Sequence, residues 1–587
     1  MPDAPPGSRS RYKQMSLRFQ NMSVGSSRTI ALVSLITIIS LFSVVSLRWV
    51  FLYRNNVLLD IDEAGYLRMA MQDYRVLTQL GVASWIKVVL GPGIHSPIVP
   101  ATASLVFTVF HPSAQIGILV PILAGSATIA MSYLLTLRLS SSRLVALACA
   151  GLVATCPYII IYSRSFHFSL PATALLIAAI WAVAASDHFR RRGINILLGV
   201  LVGLLPLTRT MTVAFLPGLL LGCAIHAFTS ETRSRSLAGL TLACCVAIAV
   251  AASWFASSAG IVMKYLLSFG YGTRAVDYGP KSSVLSIDSW ALTFEHVRLM
   301  LFAPHTLVVL LGTICAVILI ISRAAKTGIC LTMMKVLSSQ YLSSISTVVF
   351  GLAALTSTSN KGSAFMLPLL PVMLILSGIS IFQMFDRLRP IALASLTAVS
   401  VFAFVPMVDM KSSLAAVRTI RMPVLGDMIL TQGTGAFDSY YAAVLGRNSH
   451  VGQPIPSSER NQWIMLFHDL SVYLRQTPGS SIAFGFRHML VSANHIPLQL
   501  DFAGEKPRVI MQLDPFQLGQ SEQAYIDYLR KGKACILLLA EGEKGDFPPP
   551  MDGRKVRRAA QEIGFSIART WPMIGDRTLE LMRRPDC

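Results

Sequence analysis

Charged residues are scarce in this chain, and acidic ones are the scarcest. Only 13% of its 587 residues are Asp, Glu, Lys or Arg, whereas 53% are hydrophobic, and the mean hydropathy is +0.59. Soluble globular domains carry about 25% charged residues. The composition therefore excludes an ordinary soluble protein and predicts a polytopic membrane protein.

The chain also lacks the motifs that mark metal and cofactor sites. It has no CxxC pair and no His/Cys pattern with metal-ligand spacing. Most of its nine cysteines lie in or beside apolar stretches, as small buried hydrophobes do. Cys535 and Cys587 would pair only in an oxidising compartment. No cofactor or metal ligand is predicted, and the use of a divalent metal stays open.

The shortage of acids leaves a formal net charge of +21. In a soluble protein this value would suggest a nucleic-acid partner. Here the basic residues form short clusters between apolar stretches, which is typical of signals that orient membrane spans. The charge therefore predicts membrane lipids as partners and no nucleic acid.

Apolar stretches without internal Asp, Glu, Lys or Arg predict about eleven transmembrane helices. They are 30–47, 114–137, 144–163, 169–186, 194–208, 211–228, 237–256, 299–321, 338–356, 364–383 and 391–408. A basic tail, residues 1–29, precedes the first stretch, and no small-residue cleavage site follows it. We therefore expect the first span to be retained.

The positive-inside rule orients these spans. If the short apolar stretch from Pro97 to Phe110 does not cross the membrane, the basic loops all face the cytoplasm, and if it crosses they all face outward. We therefore predict a cytoplasmic N-terminus, a transmembrane domain at 30–408 with outer segments 48–113 and 257–298, and an extracytoplasmic domain at 409–587. Short β-rich runs alternate with helical patterns after 480, so the C-terminal region is predicted to be a soluble α/β domain.

Three carboxylates, Asp60, Asp62 and Glu63, follow the first span, and three isolated cations are predicted to lie on the same outer side, namely Arg164, Arg209 and Lys361. An acidic cluster there is also typical of a solvated loop, and single cations at span ends often anchor a helix at the interface. Together the two sets favour a phosphate site with a neighbouring carboxylate. Such a site suits transfer of a group from a lipid phosphate, with the acid as general base.

The order of these elements resembles a known family, the integral-membrane glycosyltransferases of the GT-C class. More specifically, it resembles the bacterial relatives of dolichyl-phosphate-mannose protein mannosyltransferases and of the lipid A aminoarabinose transferase. It runs from about Ile30 to Phe382 and rests on five elements: Asp62-Glu63-Ala64-Gly65-Tyr66, His95-Ser96-Pro97-Ile98, the turn that begins at Arg164, Thr208-Arg209, and the run from Lys361 to Pro371.

The resemblance implies roles for individual residues. Asp62 corresponds to the catalytic base, with Glu63 supporting it and Asp60 as a local competitor. The outer cations Arg209 and Lys361, together with Arg164, correspond to contacts with the lipid phosphate, and Tyr66 and His95 to further substrate contacts. The sequence departs from many relatives at His95-Ser96, where they have Lys or another polar pair, and at His167-Phe168-Ser169, where they have an Asp.

The resemblance implies a hexosyl- or pentosyltransferase of the bacterial inner membrane. Its donor would be a polyprenyl-phosphate-linked monosaccharide, its acceptor a glycolipid, a polysaccharide or a protein, and the transfer would invert the anomeric configuration. A lipid or polysaccharide flippase or a transporter is the alternative, although spans without charge disfavour a gradient-driven transporter. A membrane scaffold would leave Asp62, Arg209 and Lys361 replaceable.

Overall fold

The computed structural model describes residues 8–54, 59, 61–272, 275, 286–360, 362–408, 417–423, 425–432, 457–477, 481–488, 491–513, 518–519, 521–542, 546, 550–573 and 577–586. Within them, the helices before the first strand are α1 Ser8–Tyr53, α2 Ile61–Val89, α3 Ile98–Val109, α4 Ala114–Gly117, α5 Leu119–Ser140, α6 Arg143–Ala154, α7 Pro157–Ser163, α8 Ser169–Ala185, α9 Arg192–Thr208, α10 Leu216–Phe228, α11 Arg233–Gly270, α12 Ile287–Thr327, α13 Ile329–Leu337, α14 Leu342–Ser357, α15 Ser363–Met366, α16 Leu370–Met384 and α17 Arg389–Val408. Short 3-10 segments lie at Thr210–Phe215, Leu367–Leu369 and Asp386–Leu388.

Each predicted span coincides with a helix or a bent helix pair. In the described part of the chain, seven helices are long and apolar enough to cross a membrane, and the number rises to nine if the bent pairs α6–α7 and α13–α14 each count as one span. The other two predicted spans are α8 and α9, which have 17 residues each and are therefore about 26 Å long. The predicted fold class of a helical polytopic protein is confirmed.

The outer segments are helical where the structure describes them. The first contains α2, which breaks at Gly81 with a φ of 81°, and α3, whose 12 residues make it about 18 Å long. The second segment was predicted as a loop at 257–298, but α11 extends to Gly270 and α12 begins at Ile287. Both helices continue past the ends of their apolar stretches, which a prediction based on hydropathy alone does not see.

Two glycines bring α9 and α11 into close contact. A Cβ atom at Gly199 would lie 2.5 Å from the carbonyl oxygen of Ala243, and one at Gly203 would lie 2.6 Å from that of Ala247. Glycines four residues apart allow two membrane helices to approach at backbone distance. This contact fixes the course of α9, which ends directly before Arg209.

The loop between α2 and α3 is hydrogen-bonded to α11 and to the C-terminal end of α9. The indole Nε1 of Trp254 donates to the carbonyl of Gly91 at 3.1 Å, and the amide of Gly93 donates to Ser258 Oγ at 3.2 Å. Ser96 Oγ donates to the carbonyl of Pro206 at 2.8 Å, near the C-terminus of α9. These bonds hold His95 at the same end of the helix bundle as Arg209.

The C-terminal region contains the strands. A hairpin of β1 Val417–Met422 and β2 Gly426–Gln432 packs against α12. The strands β3 Ile482–Phe484, β4 Ile510–Gln512, β5 Ile536–Ala540, β6 Ser566–Met573 and β7 Arg577–Arg583 form one sheet in the order β4-β3-β5-β7-β6. The accompanying helices are α18 Ser457–Arg475, α19 His495–Phe502, α20 Glu522–Lys531 and α21 Gly553–Glu562.

This sheet is mixed, since β3 pairs in parallel with β4 and β5, whereas β7 is antiparallel to β5 and β6. Its two faces are covered by separate apolar clusters, one including Trp463 and Phe484 and the other Tyr525 and Leu537. The arrangement confirms the predicted C-terminal α/β domain. The β1–β2 hairpin, β6 and α19 were not predicted.

The C-terminal domain docks on α2. His495 Nε2 lies 2.7 Å from the carbonyl oxygen of Leu59, and Asn494 Nδ2 donates to the carbonyl of Ile61 at 3.0 Å. An ion pair joins Arg75 Nη1 to Asp501 Oδ1 at 2.6 Å. The start of α2 is therefore held between the helix bundle and the C-terminal domain.

Candidate functional site

The first turn of α2 carries two adjacent carboxylates, Asp62 and Glu63. Negative charge is favourable there because the N-terminus of a helix has a partial positive charge. Successive residues in a helix point about 100° apart, so the two acids face different surroundings. Asp62 shares its face with Tyr66, one turn further along the helix.

Glu63 is fully buried and clamps three chain segments together. Its Oε2 lies 2.5 Å from Nη2 of Arg54, which is also fully buried, and its Oε1 accepts a 2.7 Å hydrogen bond from the backbone amide of Phe166. The carboxylate thus joins the end of α1, the start of α2 and the turn after α7. Arg54 was not predicted as a site residue.

Asp62 has different surroundings. The residue is exposed to solvent, although protein encloses its position at longer range. This desolvation raises the pKa of the Asp62 carboxyl above its ordinary value of 3.8, and the positive charge of Arg209 acts in the opposite direction. An accessible carboxylate with a raised pKa is suited to accept a proton near neutral pH.

Arg209 lies at the end of α9 with its guanidinium turned toward the turn after α7. Nη1 donates to Ser169 Oγ and, at 3.2 Å, to the carbonyl of Ala364, and the guanidinium carbon lies 5.0 Å from the centre of the Phe365 ring. No carboxylate among the described residues forms an ion pair with it. Its charge acts electrostatically on Tyr66, Tyr162, Asp62 and Tyr265. The guanidinium therefore lies within electrostatic range of the Asp62 carboxylate.

Aromatic side chains from three other segments lie around Tyr66. It stacks on Phe168 with the ring centres 4.0 Å apart and meets His95 and His167 edge-on at 5.7 Å and 6.0 Å. Tyr265 of α11 lies 6.4 Å from His95. We call Tyr66, His95, His167, Phe168 and Tyr265 the aromatic cluster. Burial lowers the pKa of His95, so this ring is neutral at pH 7.

The cluster contains residues that sequence reasoning did not select. Phe168 lies where the resemblance leads one to expect an acidic residue nearby, and its ring stacks on Tyr66. Ser169, the next residue, accepts the hydrogen bond from Arg209. The segment His167-Phe168-Ser169 therefore contributes an aromatic ring and a hydroxyl group to the site, and no acidic side chain.

The remaining predicted site residues lie in different places. Arg164 is completely buried, with its guanidinium carbon 5.1 Å from the centre of the Trp49 ring of α1. Arg164 therefore packs against the first span and does not reach solvent. Lys361 and Asp60 are outside the described residues. The segment after Lys361 does reach the site, because Ala364 and Phe365 contact Arg209.

No group of three or more His, Cys, Asp or Glu side chains that could hold a metal ion occurs in the described ranges. The arrangement instead offers an accessible base, an opposing cation and a set of aromatic rings. These groups suit a ligand that carries both a phosphate and a ring with apolar faces.

Part of the chain matches a known family. Residues 94–255 match the family model described as dolichyl-phosphate-mannose-protein mannosyltransferase. The matched segment contains His95, Arg164 and Arg209, while Asp62 lies before it. No curated protein matches the chain significantly.

Two similar solved structures are of ArnT from Cupriavidus metallidurans, one bound to undecaprenyl phosphate and one in the apo state. Each has a TM-score of 0.50 and covers 92% of this chain and 97% of its own, with sequence identities of 12% and 13%. At this identity the likeness shows a shared fold. Together with the family match it confirms the resemblance to GT-C class glycosyltransferases.

Proposed function

We propose that this chain, which has the fold of a GT-C class protein, transfers a monosaccharide from a polyprenyl-phosphate donor to an acceptor, with Asp62 as general base. The observation that carries the proposal is an accessible carboxylate within electrostatic range of an arginine that has no ion-pair partner among the described residues. The family match at 94–255 supports a sugar transferase. The undecaprenyl phosphate bound to ArnT supports the class of donor.

The reaction is a single displacement at the anomeric carbon. Asp62 takes the proton from the acceptor hydroxyl or amine as that atom forms its bond to the anomeric carbon. The bond from this carbon to the phosphate oxygen breaks at the same time, and the lipid phosphate leaves with the electron pair. Attack from the face opposite the phosphate inverts the configuration, and Arg209 stabilises the negative charge of the leaving phosphate.

The other residues would bind and position the substrates. The aromatic cluster offers the stacked pair of Tyr66 and Phe168 to the sugar ring, because aromatic faces bind the C–H faces of sugars. Lys361 is proposed as a second phosphate contact on the strength of the resemblance alone. Glu63 is a positioning residue, since its two oxygens hold Arg54 and the amide of Phe166. Arg164 would act through its packing on Trp49.

This function requires the site to face the lipid-linked donor on the outer side of a bacterial inner membrane. The basic loops support that orientation. Arg138 donates to the carbonyl of Ala184 at the C-terminal end of α8, whereas the first residue of α8, Ser169, accepts a hydrogen bond from Arg209. Cys535 of the C-terminal domain is disulfide-bonded, which supports an oxidising compartment for this domain.

The test compares Asp62→Asn with the native chain in transfer from polyprenyl-phosphate sugars to a panel of glycolipid, polysaccharide and protein acceptors. Loss of the general base is expected to lower the transfer rate by roughly 100-fold or more, while donor binding is retained. The matched control is Asp288→Asn, because Asp288 is an exposed acid in the first turn of α12. Equal rates for the native chain and Asp62→Asn would remove Asp62 from the mechanism.

Arg209→Gln separates donor binding from base catalysis. It is expected to weaken binding of the polyprenyl phosphate itself, because the cation that meets the phosphate is lost.

A second measurement distinguishes a transferase from a flippase. A flippase would move the lipid across the bilayer and release no free polyprenyl phosphate. Release of that product by the native chain, and its loss in Asp62→Asn, distinguishes the two functions.

A further inference from the structure

A second ligand-sized space lies between α2 and the C-terminal domain. This space, which we call the interdomain pocket, has a volume of about 390 Å³, and its lining includes Arg68 and Arg75 of α2 and Asp501, Lys506 and Arg508 of the C-terminal domain. Its volume lies within the range of roughly 300–1,000 Å³ that is typical of small-molecule sites.

The interdomain pocket has an excess of positive charge. Arg68, Arg75, Lys506 and Arg508 line it, and the one carboxylate in its lining is Asp501. Arg75 Nη1 lies 2.6 Å from this carboxylate, whereas Arg68 Nε lies 3.9 Å from it. The carboxylate of Glu505, outside the lining, also acts on Arg508. Two carboxylates cannot neutralise four cations, so the pocket attracts an anion.

The guanidinium of Arg508 is incompletely paired. Its Nη2 donates to the carbonyl of Leu474 at 2.6 Å, but its Nη1 is buried and has no hydrogen-bond partner among the described residues. A buried guanidinium nitrogen without an acceptor is costly, and an oxygen-rich anion would supply that acceptor. Lys506 is exposed and has no ion pair with a described residue.

One edge of the interdomain pocket is apolar and continues into an exposed apolar strip. Leu80 lines the pocket and is 66% exposed, and beyond the break at Gly81 the side chains of Val82 and Ile86 are 60% and 46% exposed. An exposed apolar strip on a helix beside membrane spans is typical of a segment that lies in the lipid interface. The pocket therefore offers cations to a headgroup and an apolar path to the chains attached to it.

The interdomain pocket is separate from the site of Asp62. Residues 68, 72, 75 and 79 line it, and at 3.6 residues per turn their face is roughly 130° around the helix from that of Asp62 and Tyr66. A ligand here would touch both domains at once.

We propose that the interdomain pocket binds the phosphodiester headgroup of an anionic lipid and so fastens the C-terminal domain to α2. Arginines bind phosphate oxygens in bidentate fashion and lysine adds a point charge, which matches this lining. The proposal is independent of the sugar-transfer function, because it uses none of the residues assigned to that reaction.

The test uses the full-length protein in nanodiscs of phosphatidylcholine with and without phosphatidylglycerol. Phosphatidylglycerol is expected to raise the melting temperature of the native chain, and a short-chain phosphatidylglycerol is expected to bind in detergent. Lys506→Gln should weaken this binding roughly fivefold, and Arg68→Gln combined with it should weaken it further, because each cation near the membrane surface contributes about 1 kcal/mol.

The matched control is Lys531→Gln, an exposed lysine of the same domain outside the pocket lining. It should bind short-chain phosphatidylglycerol as the native chain does. Equal phosphatidylglycerol affinity in the native chain and in the Lys506→Gln, Arg68→Gln pair would overturn the proposal. Inorganic phosphate that reproduces the whole stabilisation would also overturn it, since the ligand would then be a free anion.

Discussion

Adjacent acids in the first turn of α2 have opposite surroundings, and their expected roles follow from this difference. Glu63 is buried with a guanidinium and a backbone amide as partners, whereas Asp62 is exposed within electrostatic range of Arg209. Both oxygens of Glu63 already have partners in the protein, so this carboxylate is not placed to meet a substrate. We therefore propose base catalysis for Asp62 and alignment of the site for Glu63.

The raised pKa of Asp62 predicts an acid limb in the pH profile of transfer. The base is lost as the pH falls through its pKa, which desolvation by the surrounding protein holds above the ordinary 3.8. In Arg209→Gln the stabilising positive charge is absent, so the midpoint of this limb should move to higher pH. Transfer rates measured at saturating donor over a range of pH give this midpoint. A midpoint that moves to lower pH in Arg209→Gln would contradict the proposed electrostatic interaction between Asp62 and Arg209.

Asp73 predicts a second pH effect, this time on stability. It is buried in α2, and burial raises its pKa from 3.8 to about 7. A folded-state pKa above the unfolded value means that the folded protein binds the proton more tightly, so stability falls as the pH rises from about 4 to about 7. The loss is about 4 kcal/mol.

Asp73→Asn removes this charge. The variant should melt at a higher temperature than the native chain at pH 8, and the gain should shrink toward pH 4. Melting curves in detergent at both pH values measure the effect, with Asp288→Asn as the exposed control. A native chain that is more stable than Asp73→Asn at pH 8 would mean that the ionised carboxylate has a stabilising role.

At the scale of elements, the site depends on how α9 is held. Gly199 and Gly203 let α9 approach the backbone of α11, and Ser96 binds the carbonyl of Pro206 near its end. Arg209 follows directly, so the packing of α9 sets the position of the guanidinium.

Gly203→Ala tests this dependence. The added methyl group would lie 2.6 Å from the Ala247 carbonyl oxygen and 2.7 Å from Val250 Cβ, so the helices must separate at a cost of typically 1–3 kcal/mol. We expect a lower melting temperature and weaker donor binding. Gly193→Ala in the same helix has no atom within 4 Å of the new methyl group and should behave as the native chain. Equal melting temperatures and donor affinities for the two variants would mean that the contact between α9 and α11 does not set the position of Arg209.

At the scale of the whole molecule, the topology places the site and the C-terminal domain on the same side of the membrane. His495 and Asn494 reach the backbone at the start of α2, beside Asp62. The cysteine Cys330 is exposed in α13, in the basic segment that follows α12 and is expected to face the cytoplasm. The two regions should therefore differ in their access to reagents outside the cell.

Cysteine labelling in spheroplasts checks this orientation. A membrane-impermeant maleimide should modify Lys531→Cys in the C-terminal domain, whereas Cys330 should react after the membrane is opened with detergent. Both residues are exposed, so burial does not account for a difference. Labelling of Cys330 and protection of the residue at 531 in closed spheroplasts would reverse the predicted topology.

The sequence by itself determined the membrane class, the position of the spans and the existence of a C-terminal α/β domain. These features follow from local composition, since a stretch of about 20 apolar residues must lie in lipid whatever its neighbours are. It also pointed to Asp62 and Arg209, because an acid and a cation beside apolar stretches are conspicuous where charge is scarce.

Only the tertiary structure decided which groups meet. The pairing of Arg54 with Glu63 is visible only in the structure, and Arg164 lies against Trp49 instead of at the open surface. The aromatic cluster joins residues from 66 to 265, and the interdomain pocket joins Arg75 to Asp501. Such contacts between distant segments depend on how helices and domains pack, and no local pattern in the sequence records that packing.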